Sequence, residues 1–188
     1  MPDQIPQQFR AYRVSNDEDG YRGAVEHINL DDLNEGDVVI RARYSGINYK
    51  DALAGTGKGK IMRRYPMVGG IDVAGTVVAS ESDRFTAGDE VLVTGAGLSE
   101  TRDGGYSEFV RLDSRWIVPL PGGLDALEAM TIGTAGFTAA MSLYRMEQMG
   151  QKPEQGPILV TGASGGVGSI AINILANAGY EVHALSGK

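Results

Sequence analysis

The sequence predicts an α/β protein in which a β-rich domain precedes the first β-α-β unit of a parallel sheet. Short strand-like segments separated by glycine turns fill the first 120 residues. The pattern changes at residues 119–123 (PLPGG), after which helical periodicity begins. A glycine-rich turn at 162–168 then joins an apolar strand to an apolar helix. Together these features predict two domains, over residues 1–123 and 124–188.

The composition is typical of a globular protein, with 42% hydrophobic and 22% charged residues among 188. The net charge of -7 disfavours nucleic acid as a partner, because phosphate binding needs a basic face. No apolar run is long enough to span a membrane, and the N-terminus lacks the apolar core of a secretory signal. The cytoplasm is therefore the expected location.

The strands of the N-terminal domain are predicted from the alternation of apolar and polar residues between turns. Residues 9–15 and 21–28 are predicted strands joined by the polar turn 16–20, and 37–44 (DVVIRARY) alternates like a half-buried strand. Further strands are predicted at 73–79, 90–94 and 107–112. Many short strands with such turns indicate a barrel or a sandwich.

The C-terminal elements have a different period. Residues 124–149 carry apolar positions at helical spacing, and 150–157 form a Pro/Gly/Gln loop. A strand at 158–161, a helix at 169–178 and a strand at 180–185 complete the β-α-β unit.

The glycine-rich turn predicts a dinucleotide site. Gly162, Gly165 and Gly168 would permit a tight turn, close approach of a diphosphate, and close packing of helix on sheet. The diphosphate would lie at the helix N-terminus. Two alternatives are a glycine turn without a ligand and the loop of short-chain dehydrogenases. The latter is disfavoured because about 160 residues precede the loop and no Tyr-x-x-x-Lys pair follows it.

The end of the second strand favours NADPH over NADH. An NAD site usually has an acidic residue there to hold the ribose 2′-hydroxyl, whereas this chain has Ser186, Gly187 and Lys188. The serine can donate a hydrogen bond and the lysine can supply positive charge to a 2′-phosphate. The alternative is that Lys188 is merely a solvated lysine.

Several motifs resemble the medium-chain dehydrogenase/reductase superfamily, in its zinc-free quinone oxidoreductase branch. They are 45–51 (SGINYKD), 66–77 (PMVGGIDVAGTV), 133–139 (GTAGFTA) and, more specific, 56–66 (TGKGKIMRRYP). Together they resemble the subgroup that includes bacterial acrylyl-CoA reductases, over nearly the whole chain.

The resemblance implies a GroES-like barrel as catalytic domain, without its C-terminal return, and the start of a Rossmann-type NADP-binding domain. Such proteins exceed 300 residues and are expected to be homodimers, so we expect the 188-residue chain alone to be unstable or inactive. Tyr49 is expected beside the nicotinamide. The full set of expected cofactor contacts is Tyr49, Thr138, Gly162, Ser164, Gly165, Gly166, Val167, Gly168, Ser186, Gly187 and Lys188.

The residues predict chemistry without zinc. The chain has no cysteine and two histidines, whereas catalytic zinc in related alcohol dehydrogenases needs thiolate and imidazole ligands. Gly70-Ile71-Asp72 stands where zinc enzymes carry Gly-His-Glu. This favours reduction of an activated double bond or a quinone over alcohol oxidation.

We expect NADPH to reduce an enoyl-CoA thioester, with a quinone as the alternative acceptor. Asn48, Tyr49 and Asp51 are the candidate catalytic residues, although Asn48 and Asp51 could instead form a local turn and helix cap. The basic loop of Lys58, Lys60, Arg63 and Arg64 is a candidate for binding substrate phosphates, or is simply solvated. A protein that binds NADPH without catalysis, and a chaperonin-like β-domain alone, are the rival classes.

Overall fold

The computed structural model describes residues 5–187, and the chain divides between Thr131 and Ile132 into two compact units. The division lies a few residues beyond the composition change at 119–123. The boundary placed at residue 123 stays a prediction. Within residues 5–187, no helix combines the length and the hydropathy that a membrane span requires.

Two antiparallel sheets, one short α-helix and two 3-10 helices make up most of the first unit. A three-stranded sheet has the order β2-β1-β4, with β1 at Phe9–Asp17, β2 at Gly20–Ile28 and β4 at Met67–Val68. A five-stranded sheet has the order β7-β3-β5-β6-β8. Its strands are β3 (Val38–Tyr44), β5 (Asp72–Ser80), β6 (Glu90–Thr94), β7 (Phe109–Leu112) and β8 (Val118–Pro119). Helix α1 spans Tyr49–Thr56.

The core of this unit forms where inward-facing strand residues meet. Val38 and Ile40 of β3, Val73 and Val77 of β5, and Val91 of β6 are at most 1% exposed and belong to one apolar cluster. The alternation predicted from the sequence produces this face, because successive strand residues point to opposite sides. Strand β5 pairs with β6 over residues 72–76 and with β3 over residues 74–80, so it is a central and constrained element.

The second unit contains a parallel strand pair and its crossover helix. Strand β9 (Ile158–Thr161) pairs in parallel with β10 (Val182–Leu185), and α3 (Gly166–Asn177) connects them. The predicted helix start at 169 is three residues late, because Gly166 and Gly168 already belong to the first turn. The predicted β-α-β order is confirmed.

Helix α2 spans Ala126–Gln148 and crosses the division between the units. It is not continuous: Gly133 has φ 47° and ψ -156°, which no helical residue adopts. Apolar periodicity on both sides of Gly133 predicts one helix, and only glycine's freedom to take a positive φ permits this kink.

Candidate functional site

Asp51 is buried and fixes the start of helix α1. One of its carboxylate oxygens accepts the backbone N–H of Asn48 at 2.8 Å, and the other accepts that of Ile71 at 3.0 Å. Asp51 is only 7% exposed to solvent. Asp51 therefore caps α1 and ties it to the segment before β5, which is the cap role considered from the sequence.

Asn48 is held by a carboxylate that the sequence analysis assigned no role. Its Nδ2 donates to Oδ2 of Asp72 at 2.8 Å, and Asp72 is fully buried at the start of β5. The backbone carbonyl of Asp72 accepts from the hydroxyl of Ser45 at 2.6 Å. A carboxylate at the start of an otherwise apolar strand is the signal in the sequence that could have identified Asp72.

Tyr106 closes the other side of this cluster. Its hydroxyl donates to the carbonyl of Gly46 at 3.1 Å and also interacts with the carboxylate of Asp51. Burial and the negative charges of Asp51 and Asp72 raise the pKa of the Tyr106 hydroxyl well above its ordinary value. Burial also raises the pKa of Asp51, and the hydrogen bonds from Asn48, Ile71 and Tyr106 oppose that rise.

Gly105 allows the segment carrying Tyr106 to approach β5. A Cβ at this position would lie 2.2 Å from the backbone oxygen of Asp72 and 3.0 Å from the hydroxyl of Ser45. Any side chain would therefore push this segment away from Asp72. The sequence DGG at 103–105 thus serves packing at the site as well as forming a turn.

Tyr49 differs from its neighbours in exposure. Its side chain is 81% exposed at the first residue of α1, and that of Ile47 is 89% exposed. Asn48, between them, is partly buried against Asp72. The predicted catalytic set thus separates into an exposed phenol, an anchored amide and a buried cap.

The basic loop does not present four equivalent cations. Lys58, Lys60 and Arg63 are exposed. Arg64 donates to Asp103 at 2.6 Å, and that aspartate, 2% exposed, also accepts the backbone N–H of Val68 and of Asn34. Arg64 thus compensates a buried charge, a role that loop composition could not reveal.

The glycine turn of the second unit forms a compact bend between β9 and α3. Gly162 has φ 61°, and its carbonyl accepts the N–H of Gly165 at 2.9 Å. A Cβ on Gly168 would lie 2.3 Å from that same carbonyl oxygen. Bend and helix can approach this closely only because position 168 is glycine.

The end of β10 lies beside this bend. The carbonyl of Leu185 accepts the N–H of Ala163 at 3.2 Å, and the hydroxyl oxygens of Ser164 and Ser186 are 3.5 Å apart. The two predicted parts of the cofactor site, the glycine turn and the end of the second strand, are thus adjacent. Gly187 is exposed next to them, and Lys188 lies outside the described residues.

The first turn of α3 fits a diphosphate. Its residues 166–168 present backbone N–H groups that no preceding helical carbonyl can reach, and Gly165, Gly166 and Val167 are exposed. The helix dipole adds positive potential there. Thr138, also predicted at the cofactor, lies on α2 with its hydroxyl donating to the carbonyl of Thr134 at 2.7 Å.

Comparison with known proteins agrees with this architecture. Residues 34–122 match the alcohol dehydrogenase GroES-like domain. YhfP of Bacillus subtilis, named as a quinone oxidoreductase, is 50% identical over 180 residues, which are 96% of this chain and 54% of that protein. Acrylyl-CoA reductase AcuI of Ruegeria pomeroyi is 47% identical over 182 residues, which are 96% of this chain and 55% of that protein.

Solved structures give the same result. The yhdH oxidoreductase of Salmonella enterica in complex with NADP superposes with a TM-score of 0.92 at 49% identity, covering 95% of this chain and 55% of that one. The structure of B. subtilis YhfP with NAD bound gives 0.91 at 49% identity, covering 97% of this chain and 56% of that one. The chain spans about half the length of the curated relatives that it matches. It belongs to the medium-chain dehydrogenase/reductase superfamily and carries that superfamily's GroES-like domain.

Proposed function

We propose that the protein is an NADPH-dependent oxidoreductase that reduces the activated double bond of a short enoyl-CoA thioester, acrylyl-CoA to propionyl-CoA. The observation that carries the proposal is the near-complete alignment of this chain with an acrylyl-CoA reductase at 47% identity. The diphosphate-fitting turn at α3 supports the cofactor part independently.

The second unit would hold the nucleotide. The first turn of α3, from Gly166 to Gly168, would bind the diphosphate, and Ser164 and Ser186 would face its ribose. When bound, NADPH supplies the hydride. Two solved structures of relatives contain NADP or NADPH and one contains NAD, so the end of β10 bears on the preference for NADPH. The sequence of residues 186–188 contains no aspartate or glutamate.

The first unit would supply the polar groups around the thioester. Reduction at the β-carbon places negative charge on the thioester oxygen, and a hydrogen-bond donor there stabilises it. An asparagine amide has two N–H bonds, and Asp72 accepts one from Asn48. The Asn48 side chain also interacts with the carboxylate of Asp51, so Asp72 and Asp51 together would position this amide beside the thioester. The exposed Tyr49 would contact the cofactor.

Lys58, Lys60 and Arg63 remain candidate contacts for substrate phosphate. Their exposure leaves them available to an anion, whereas Arg64 is engaged by Asp103. Charge reversal of Lys58 and Lys60 should raise the KM for acrylyl-CoA, and an unchanged KM would remove the loop from the site.

The homodimer implied by the resemblance also stays a prediction.

A quinone reductase is the second candidate, because YhfP is named as one and is equally similar. The deciding experiment compares NADPH oxidation by the protein with acrylyl-CoA and with a simple quinone. A kcat/KM far higher for acrylyl-CoA supports the enoyl reductase, and a preference for the quinone refutes it. NADPH binding without turnover of either acceptor would indicate a non-catalytic protein.

The role of Tyr49 is tested separately. Tyr49→Phe removes one exposed hydroxyl without disturbing a buried contact. We expect lower turnover or weaker NADPH binding, because the hydroxyl would bond the cofactor or relay a proton. Unchanged kinetics and an unchanged Kd for NADPH would remove Tyr49 from the site.

A further inference from the structure

A cavity of about 360 Å³ lies in the first unit beside the segment that carries the candidate site. Its wall includes three tyrosine side chains, Tyr12, Tyr44 and Tyr106. Ser45 also lines it, and the Ser45 hydroxyl donates to the backbone of Asp72. The cavity is in the size range of small-molecule sites. Three charged residues, Arg10, Arg43 and Glu108, also line it, and the rest of its wall is uncharged.

A second cavity, of about 450 Å³, shares residues 42–44 with the first. Arg41 and Thr76 complete its wall, and Arg41 together with the shared Arg43 makes its character cationic. The end of strand β3 therefore lies between a tyrosine-rich cavity and a basic one. Because Arg43 and Tyr44 each border both cavities, they can contact neighbouring parts of one elongated ligand.

The arginines around these cavities differ in how firmly they are neutralised. Arg10 forms two bonds to one carboxylate oxygen of Glu108, at 2.7 and 3.1 Å. Arg43 lies 3.8 Å from Glu90, whose same oxygen already accepts the hydroxyl of Thr76 at 2.7 Å. The side chain of Arg43 is 57% exposed. Arg43 is thus a cation with a loosely held counter-ion, able to bind an incoming anion.

We propose that the end of β3 binds the coenzyme A portion of the thioester substrate. The uncharged pantetheine arm would occupy the tyrosine-rich cavity against Tyr44 and Tyr106, and a phosphate group would pair with Arg43. This inference rests on the proposed function, because it takes an acyl-CoA as the substrate. It adds a recognition site outside the basic loop, on a strand whose next residues form the reaction site.

The test is calorimetric titration of the protein, saturated with NADP⁺, with propionyl-CoA and with propionyl-pantetheine, which lacks the nucleotide. The Arg43→Ala variant should bind propionyl-CoA about tenfold more weakly, since it loses a charge-assisted contact, and should bind propionyl-pantetheine as before. Tyr44→Ala should weaken both ligands. Arg22→Ala is the matched control, because Arg22 is an exposed arginine paired with Asp17 at the β1–β2 turn.

Wild-type affinity of Arg43→Ala for propionyl-CoA would overturn the proposal, as would an equal loss for both ligands. Absence of propionyl-CoA binding to the wild-type protein would also overturn it. The proposed function fails differently, through absence of acrylyl-CoA reduction while propionyl-CoA binding still depends on Arg43. Conversely, reduction of acrylyl-CoA with an unaffected Arg43→Ala variant would refute only this inference.

Discussion

Gly168→Ala tests whether the bend at α3 is built for a diphosphate. The added Cβ would lie 2.3 Å from the carbonyl oxygen of Gly162 and 2.9 Å from its carbonyl carbon. Since real Cβ atoms essentially never approach other atoms closer than 3.0 Å, the contact must open by at least about 0.7 Å. The obstructing atoms belong to the backbone, so no side-chain rotation relieves the clash.

The cost of this displacement can be estimated from overpacking in general, which destabilises by about 1–3 kcal/mol. For a chain of this length, that predicts a Tm lower by on the order of 5 °C. The larger effect concerns NADPH. Moving α3 away from Gly162 shifts the N–H groups that would bind the diphosphate, so we expect the Kd to rise at least about tenfold.

NADPH titration followed by fluorescence, beside thermal unfolding without ligand, measures both quantities. Gly122→Ala is the matched control, because a Cβ there meets nothing within 4 Å and its φ is not positive. We expect this control to retain the Tm and the Kd of the wild-type protein. A Gly168→Ala variant that bound NADPH with wild-type affinity would refute the assignment of the diphosphate to this turn.

Three further predictions concern carboxylates of the first unit. Asp72→Ala should lower kcat at least about tenfold with little change in the Kd for NADPH, because the Asn48 amide loses a charged acceptor. Steady-state kinetics measure kcat and direct titration measures the Kd. An unchanged kcat would contradict this prediction. Arg64→Ala should lower the free energy of unfolding by about 1–3 kcal/mol, since buried Asp103 loses its cation. Urea unfolding measures this loss, and Lys58→Ala, at an exposed lysine, is the control. Burial raises the pKa of Asp51, so the folded state holds its proton to higher pH and the contribution of Asp51 to stability falls as pH rises above about 4. Melting curves of wild type and Asp51→Asn from acidic to neutral pH should therefore diverge, and parallel curves would contradict this sign.

The sequence predicts most of the fold because the relevant signals are local. Strand β6, Glu90–Thr94, lies where alternation between turn residues placed it. The β-α-β unit follows from a short apolar run, a glycine turn and a second apolar run. The kink of α2 at Gly133 could not be predicted, because an isolated glycine inside a helical pattern is compatible with a straight helix.

The candidate site was less predictable, since its contacts join residues far apart in the chain. Asn48 and Asp51 are in the predicted motif, but their partners Asp72 and Tyr106 are distant. The role of Arg64 depends on Asp103, 39 residues later. Sequence spacing reveals helix caps and phosphate turns, whereas these bonds depend on how β3, β5 and the 103–106 segment come together.

The position of Asp72 gives the proposed role of Asn48 a structural basis. Asn48 is the non-helical residue that precedes α1, and its side chain also interacts with Asp51. Its amide is bonded to a side chain at the beginning of β5, the strand paired on both sides within the five-stranded sheet. Catalysis is favoured when a polar group is already aimed before the substrate arrives, because no reorganisation is then required. The sheet therefore helps to hold the Asn48 amide through the Asp72 carboxylate, which is why removal of Asp72 should affect turnover more than cofactor affinity.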